Sequence, residues 1–355
     1  MKKTIVFLMS LFICNILFAQ QREAAEKIVN EGIPYHDKGD YDGALSRYDQ
    51  ALALDKDNLL ALCEKALTLL SANRPEECIK VCKTALEKHP GENTLNTLYV
   101  TYGNALDVLK KTDKAIDIYN EGIKYYPVYY QLYFNKGITL ESDKRHDEAL
   151  LCAQKSVILN PKHPGSHNMI AIILKNQNKR IPAILAYGRF LVLEPQSDRA
   201  KNSLKSIQNL LSENVKQNSD NSVSINLDPA LMKSITGNGK PKENNFNSID
   251  LLLTLNSALD SDPKFKTEKD VEKFIRKIDT ICSALKTAKN ANSGFYWDYY
   301  VPYFIDMKNR NFIETFGYIA FASTEDPDVM TWLKGHKTEL DKFFEWSSAF
   351  AWKTN

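Results

Sequence analysis

The chain has 355 residues, of which 25% are charged and 43% are hydrophobic, and its formal net charge at pH 7 is +2. Lysine and arginine do not cluster into a basic stretch, so the sequence lacks the footprint that a nucleic-acid partner requires. The length exceeds that of one typical hydrophobic core and therefore predicts two domains.

Residues 1–19 have the pattern of a secretory signal peptide. Lysines at positions 2 and 3 form a short basic region, and residues 4–18 are almost wholly apolar. Ala19 precedes Gln20 and is the small residue that signal peptidase requires at its cleavage site. The apolar run is shorter than the ~20 residues of a membrane span, which favours a cleaved signal peptide. A retained membrane anchor is the alternative interpretation.

We expect a bacterial protein that is cleaved near Gln20 and reaches the periplasm or the exterior. No transmembrane segment is then expected in the mature chain. Cys14 does not follow the small residues of a lipoprotein cleavage site, so we do not expect a lipid anchor. Cleavage of the signal peptide removes its two lysines and brings the formal net charge of the mature chain close to zero.

A pattern of small residues returns at a fixed spacing between residues 25 and 197. The first set has steps of 34, 37, 34 and 34 residues and consists of Gly32, Ala66, Gly103, Gly137 and Ala171. A second set has the same steps and consists of Ala44, Cys78, Ala115, Ala149 and Ala183. Four residues further on stand Tyr48, Cys82, Tyr119, Ala153 and Tyr187. The units end near Lys56, Pro90, Pro127, Pro161 and Pro195.

This period of 34 residues resembles the tetratricopeptide repeat over five units. The resemblance implies an all-α solenoid, in which each unit is a pair of antiparallel helices that cross closely at the small residues. Proline lacks the N–H that would continue the second helix, so it ends each unit. Pro34 is expected to kink the first helix or end it early. An amphipathic helix that begins after Ser197 is expected to cap a solenoid over residues 25–212.

The resemblance also implies a concave face lined by the first helices, which repeat proteins use to bind peptides or helices. The residues that it places there are Val29, Ile33, Cys63, Leu67, Leu70, Val100, Asn104, Asp107, Phe134, Ile138, Glu141, Asn168, Ile172 and Lys175. Members that grip a C-terminal carboxylate use Lys, Arg and Asn at these positions, and only Asn104, Asn168 and Lys175 match. We therefore expect an apolar groove for an amphipathic helix or an extended apolar segment. The alternative is that the protein's own C-terminal region covers this face.

Five cysteines follow the signal segment, and we interpret them as small core residues rather than as a disulfide framework. There is no Cys-x-x-Cys pair to suggest a zinc or redox site. His163 and His167 are four residues apart, but Pro164 and Gly165 interrupt a helix between them, so a surface pair is expected rather than a metal site. We expect no cofactor.

Residues 213–247 are rich in Asn, Ser, Lys and Gly and are predicted to be a polar linker, with a short apolar island at Leu231 and Met232. Helical periodicity resumes in residues 248–355, which are predicted to form a smaller helical domain. Thr267 and Asp270 suggest a capping-box start for one of its helices. No alternating pattern predicts a strand in any part of the chain.

The C-terminal domain is dense in aromatic residues, and two interpretations stay open. They fill the core and the seam against the solenoid, or they form a surface that binds a protein or stacks on sugar rings. The candidates for such a surface are Tyr296, Trp297, Tyr299, Tyr300, Trp346 and Trp352.

The sequence therefore predicts a secreted or periplasmic interaction scaffold that is not an enzyme. It contains no Gly-x-Ser-x-Gly, phosphate-loop or His-Glu-x-x-His motif. One alternative is a glycan-binding accessory protein that uses the C-terminal aromatic residues. Another is an enzyme whose site lies in the C-terminal third, which resembles no known family.

Overall fold

A computed structural model describes residues 2–218, 222–226 and 243–353, with side chains from Phe18 onward. Contacts between residues divide the chain into two units, residues 1–156 and 157–355. The all-α prediction is confirmed, because helices make up nearly all the regular structure of the described residues. No helix in this part of the chain has the length and apolar character that crossing a membrane requires.

The first unit contains pairs of antiparallel helices. They are α1 (Lys2–Asp37), α2 (Tyr41–Leu54), α3 (Leu59–Ser71), α4 (Pro75–Lys88), α5 (Leu95–Val108), α6 (Thr112–Tyr125) and α7 (Tyr130–Ser142), and α8 (His146–Leu159) starts in this unit. The first helix of each repeat also contacts the first helix of the next, α1 with α3, α3 with α5 and α5 with α7. The first helices therefore stack into a continuous layer.

The second unit begins with the last repeat and continues to the C-terminal helices. Its helices are α9 (Pro164–Asn176), α10 (Arg180–Leu193), α11 (Asp198–Ser212), α12 (Asn247–Ala258), α13 (Asp270–Ala288), α14 (Phe295–Tyr299), α15 (Val301–Asn309), α16 (Ile313–Ala320), α17 (Pro327–Gly335) and α18 (Lys337–Ala349). Short 3₁₀ turns lie at Leu259–Ser261, Lys289–Ala291 and Ala322–Thr324. Between α11 and α12, β1 (Val215–Gln217) pairs with β2 (Val223–Ile225) in an antiparallel hairpin.

A left-handed residue stands between the two helices of every repeat. These residues, which follow the 34-residue period, are Gly39, Asn73, Lys110, Lys144 and Asn178, with φ between 56° and 79°. The next residue donates its N–H to a carbonyl five residues back, as Lys111 does to Leu106 at 2.9 Å. This is the Schellman pattern, which satisfies the free carbonyls at a helix end. The turn recurs five times and therefore supports five repeats.

Small residues do permit the two helices of a repeat to cross closely. The closest contact, however, is not between the small residues of the two helices, as expected. A Cβ on Gly32 would lie 2.6 Å from the ring of Tyr48, and one on Gly103 would lie 2.7 Å from Cδ1 of Tyr119. The tyrosine one turn beyond the small residue of the second helix therefore makes the tight contact. Ala44 and Ala115 are fully buried beside it.

Three local expectations are wrong in whole or in part. Of the two outcomes expected at Pro34, the early end is excluded, because helix α1 continues to Asp37. Residues 213–247 were expected to contain no strand, but they contain the β1–β2 hairpin, which contacts α12. Its two strands are too short to show an alternating pattern. Helix α13 is capped by Glu272, which accepts the N–H of Lys269 at 2.8 Å, and Thr267 lies outside this cap. The apolar island at Leu231–Met232 lies outside the described residues.

Helix α10 is the centre of the second unit and is buried from Arg180 to Val192. It contacts α9, α11, α12 and α16. Arg180 joins three helices, because it donates to Leu210 O of α11 and to Asp250 and Thr254 of α12, the last two at 2.7 and 2.8 Å. The last repeat and the C-terminal helices therefore share one core, and the contacts do not separate at residues 212 and 248, where the sequence predicts domain boundaries.

Candidate functional site

The first helices α3, α5 and α7 carry most of the residues that were expected to line a groove. These residues stand three before, one after and four after the small crossing residue of each helix. At 3.6 residues per turn, the three positions lie within roughly 60° of one another around the helix. Because α3 contacts α5 and α5 contacts α7, they form one strip. We call it the first-helix face, and it consists of Cys63, Leu67, Leu70, Val100, Asn104, Asp107, Phe134, Ile138 and Glu141.

The first-helix face is partly apolar and accessible. Leu67 and Ile138 are 41% and 40% exposed, although α3 packs against α1, α2, α4 and α5, and α7 packs against α5 and α6. Cys63, Leu70, Val100 and Phe134 are half-buried. Accessible apolar side chains on stacked helices make this face a candidate for a surface that a partner covers.

Helix α1 contributes less to this face than expected. Val29 is fully buried in a cluster with Ala44 of α2 and Ala61 of α3, so the prediction that it lines the groove is wrong. The physical reason is that α1 packs against both α2 and α3, and Val29 fills the space between them. Ile33 is half-buried.

The three candidates of the fifth repeat lie in the second unit. Asn168 accepts a hydrogen bond from the Ser203 hydroxyl at 3.1 Å, and Lys175 is half-buried. Ile172 is 37% exposed. The C-terminal helices of the same unit therefore leave Ile172 accessible, and they pack on α10 instead.

The close crossing in the third repeat positions a polar group on the first-helix face. The ring of Tyr119 lies over Gly103 and its hydroxyl donates to Asn104 Oδ1 at 2.7 Å. Burial raises the pKa of Tyr119, and the nearby Asp107 carboxylate raises it further, so the phenol stays protonated and acts as a donor. Asn104 is thereby held in one orientation.

A cavity of about 980 Å³ adjoins the face at the amino-terminal ends of α3 and α5. Leu54 and Leu60, which are 44% and 37% exposed, contribute apolar walls. Cys63 and Glu64 also line it, so the cavity is continuous with the first-helix face. Burial, followed by the Glu64 carboxylate, raises the pKa of the Cys63 thiol to about 12. That thiol is protonated at neutral pH and is a weak nucleophile.

The aromatic surface, one of the two interpretations left open for the C-terminal region, is not formed. Tyr296, Trp297, Tyr299 and Tyr300 are at most 3% exposed, Trp346 is 9% exposed and Trp352 is half-buried. The first of the two interpretations is therefore correct, because these rings pack against α8, α9 and one another. Tyr299 donates to Val157 O at 2.7 Å, and Trp297 stacks on Phe246 with 4.5 Å between ring centroids.

Two aromatic rings of the C-terminal region, Tyr303 and Trp352, enclose a guanidinium group that sequence reasoning missed. Arg189 of α10 is 1% exposed and donates to Ser347 at 2.7 Å and to Tyr303 at 3.2 Å. Its Cζ lies 5.1 Å from the ring centroid of Tyr303 and 4.9 Å from that of Trp352. The two rings stabilise the buried charge through cation–π contacts. The available signal was the segment "RIPAILAYGRFLVL", which is apolar on all sides and so predicts a buried helix.

The histidine and cysteine candidates occupy structural positions. The expectation that His163 and His167 form a surface pair is wrong. His163 caps α9 through Ser166, and His167 is fully buried between Tyr300 and the carbonyl of Pro161. Cys78 and Cys82 are buried with their sulfur atoms 3.9 Å apart. Within residues 2–218, 222–226 and 243–353, no group of three or more His, Cys, Asp or Glu side chains is arranged to hold a metal ion.

Two stretches of the chain, residues 35–99 and 103–164, match families described as tetratricopeptide repeat. Residues 35–164 are tetratricopeptide repeats. The resemblance expected from the sequence is confirmed, and neither match reaches the C-terminal region. Such repeats indicate a protein–protein interaction scaffold.

The chain is also similar to part of a curated protein, the Protein STIP1 homolog of Dictyostelium discoideum. The identity is 28% over 125 residues, which is 34% of this chain and 22% of that protein, so the chain spans about a fifth of its length. Among solved structures, Pseudomonas aeruginosa pilF is 22% identical with a TM-score of 0.48, covering 54% of this chain and 84% of that one. A thermophilic TPR protein of Thermus thermophilus is 17% identical with a TM-score of 0.45, covering 52% of this chain and 98% of that one.

Proposed function

We propose that the protein is a non-catalytic scaffold whose first-helix face binds an apolar segment of a protein partner. The observation that carries this proposal is the accessibility of Leu67 and Ile138 on stacked helices of a repeat array. Solvent contact with such side chains is unfavourable by about 25 cal/mol per Å² of apolar surface, and a partner that covers them gains that free energy.

The spacing of the layer suits an amphipathic helix. Neighbouring packed helices lie ~8–10 Å apart, and two turns of an α-helix rise about 11 Å. A helix laid across α3, α5 and α7 can therefore place apolar residues at i, i+7 and i+14 over the three helices in turn. About 15 residues are enough to span them.

We also propose that the protein is exported and that its mature chain begins near Gln20. The support is the basic start, the apolar run at residues 4–18 and the small residue Ala19. Amino-terminal sequencing of protein recovered from the cell envelope is expected to start at Gln20 or within a few residues of it. An intact Met1 in that material would contradict export by cleavage.

Affinity capture with matched variants tests the binding proposal. The double variant Leu67→Ser/Ile138→Ser removes the exposed apolar side chains of the face, and Leu151→Ser removes one that is 65% exposed on the second helix α8. We expect wild-type protein and the Leu151→Ser control to retain the same protein, and the double variant to lose it. Equal retention by all three proteins, with equal urea midpoints, would overturn the proposal.

A further inference from the structure

We propose that the partner segment is a basic amphipathic helix, whose lysine or arginine side chains pair with Glu64, Asp107 and Glu141 while its apolar side covers Leu67 and Ile138. This inference rests on the proposed function and adds the charge of the partner.

The first-helix face is acidic although the whole chain has a formal net charge of +2. Its nine positions include Asp107 and Glu141 and no lysine or arginine. Glu64 lies beside Cys63 on the same helix, and Asp37 ends the neighbouring helix α1. The charge is therefore concentrated where the apolar side chains are accessible.

The lysines of α3 and α7 do not neutralise this charge. Lys65 pairs with Asp49 of α2 at 2.5 Å, and Lys136 donates to Asn120 of α6 at 2.7 Å, so both turn toward second helices. Lys110 and Lys144 stand in the left-handed turns beyond the ends of α5 and α7.

The carboxylates of the face mostly lack cationic partners. Asp107 and Glu64 form no ion pair within 4.0 Å among the residues that the structure describes. Glu141 contacts His146 at 2.8 Å, and His36 and Asp37 interact electrostatically with Glu64. Burial raises the pKa of the Glu64 carboxyl, and Asp37 adds to that rise against the opposing effect of His36. A partner cation would relieve this unfavourable environment.

The ends of the helices do not favour acidic residues at these positions. Asp37, Asp107 and Glu141 lie in the last turns of α1, α5 and α7, where the negative end of the helix dipole disfavours a carboxylate. Three parallel helices thus end with the unfavourable charge at the same edge of the layer. A basic partner makes this arrangement favourable, because its cations interact with both the carboxylates and the helix ends.

Three synthetic peptides of about 15 residues, the length that spans the three helices, test the inference with the full chain. Two share leucines at i, i+3, i+4 and i+7 and differ in carrying either lysine or glutamate on the polar side. The third has the composition of the lysine peptide in scrambled order. By fluorescence anisotropy in ~0.1 M salt, we expect the lysine peptide to bind at least about tenfold tighter than the other two. The difference in affinity between the lysine and glutamate peptides is expected to decrease at ~0.5 M salt, because salt screens exposed charges.

Neutral variants locate the charge effect. Glu64→Gln/Asp107→Asn is expected to weaken binding of the lysine peptide about 3- to 10-fold, in keeping with the modest strength of exposed ion pairs. Glu87→Gln, an exposed carboxylate on the second helix α4, is expected to change it by less than about 1.5-fold.

Each other outcome contradicts a distinct statement. Equal binding of the lysine and glutamate peptides would overturn the inference and leave the apolar face standing. Equal binding of the scrambled peptide would show that charge alone attracts it, which also overturns the inference. If no peptide binds and Leu67→Ser/Ile138→Ser retains the captured proteins, the proposed function itself is wrong.

Discussion

The close approach of Tyr119 to Gly103 makes a methyl group at residue 103 a sharp test of how the repeats pack. In Gly103→Ala, the new Cβ would lie 2.5 Å from Cζ and 2.7 Å from Cδ1 of Tyr119. Carbon atoms in contact normally lie ~3.5–4.0 Å apart, so the ring must move by about 1 Å. Tyr119 is fully buried and its hydroxyl is bonded to Asn104, so the movement disturbs both the core and the first-helix face.

The expected cost follows from two opposing effects. Overpacking a filled core costs about 1–3 kcal/mol, whereas alanine is favoured over glycine inside a helix by about 0.5–1 kcal/mol. The net loss in the free energy of unfolding is therefore about 0–2.5 kcal/mol, with about 1 kcal/mol as the central value. Gly335→Ala serves as the control, because nothing lies within 4 Å of its Cβ position and its φ is not positive.

Urea unfolding followed by circular dichroism measures both variants. We expect a lower midpoint for Gly103→Ala and a shift within about 0.5 kcal/mol for Gly335→Ala. Adding Tyr119→Leu to Gly103→Ala should cost less than the sum of the single changes, because the smaller side chain removes the clash. A Gly103→Ala protein more stable than wild type, or strict additivity in the double variant, would refute the packing described for the repeats.

Three further changes test other parts of the structure. Burial lowers the pKa of His167 to about 3, so its neutral form stabilises the fold fully above pH ~6.5 and this stability is lost as pH falls toward 3. His167→Gln should flatten the dependence of the urea midpoint on pH in that window, and an unchanged slope would contradict this. Lys110→Gly should raise the free energy of unfolding by about 0.5–1 kcal/mol because φ is 57°, whereas Lys114→Gly inside α6 should lower it by about 1 kcal/mol. Trp352→Ala should lower it by about 2 kcal/mol by uncovering Arg189, and a change below about 0.5 kcal/mol would show that the ring does not stabilise the charge.

The repeat architecture was predictable because its determinants are local and periodic. Small residues such as Gly103 and Ala115 recur at the crossing, and each second helix ends two residues before the expected unit end, as α4 ends at Lys88 before Pro90. The left-handed turns were not predictable in the same way. Lys110 and Lys144 adopt a conformation that glycine favours, and their side chains give no sign of it.

The candidate site was predictable in part. Leu67 and Ile138 are accessible as the helical spacing implies, but Val29 is buried, because the position of a residue in a repeat does not reveal how many neighbours its helix has. For a related reason, the sequence left open whether the C-terminal aromatic residues form a core or a surface. Whether Tyr299 and Tyr300 face solvent depends on Val157 of α8 and His167 of α9, which lie more than 100 residues earlier and bind the two hydroxyls.

Site-specific photo-crosslinking in the producing cell tests the central claim most directly. A photoreactive amino acid is placed at Leu67 or Ile138 on the first-helix face, and at Leu151 on α8 as an accessible control. The binding proposal predicts that both face positions crosslink to the same protein and that Leu151 does not. Crosslinking from Leu151 with equal yield, or none from either face position while the protein retains its partner in affinity capture, would contradict the claim that this face is the binding surface.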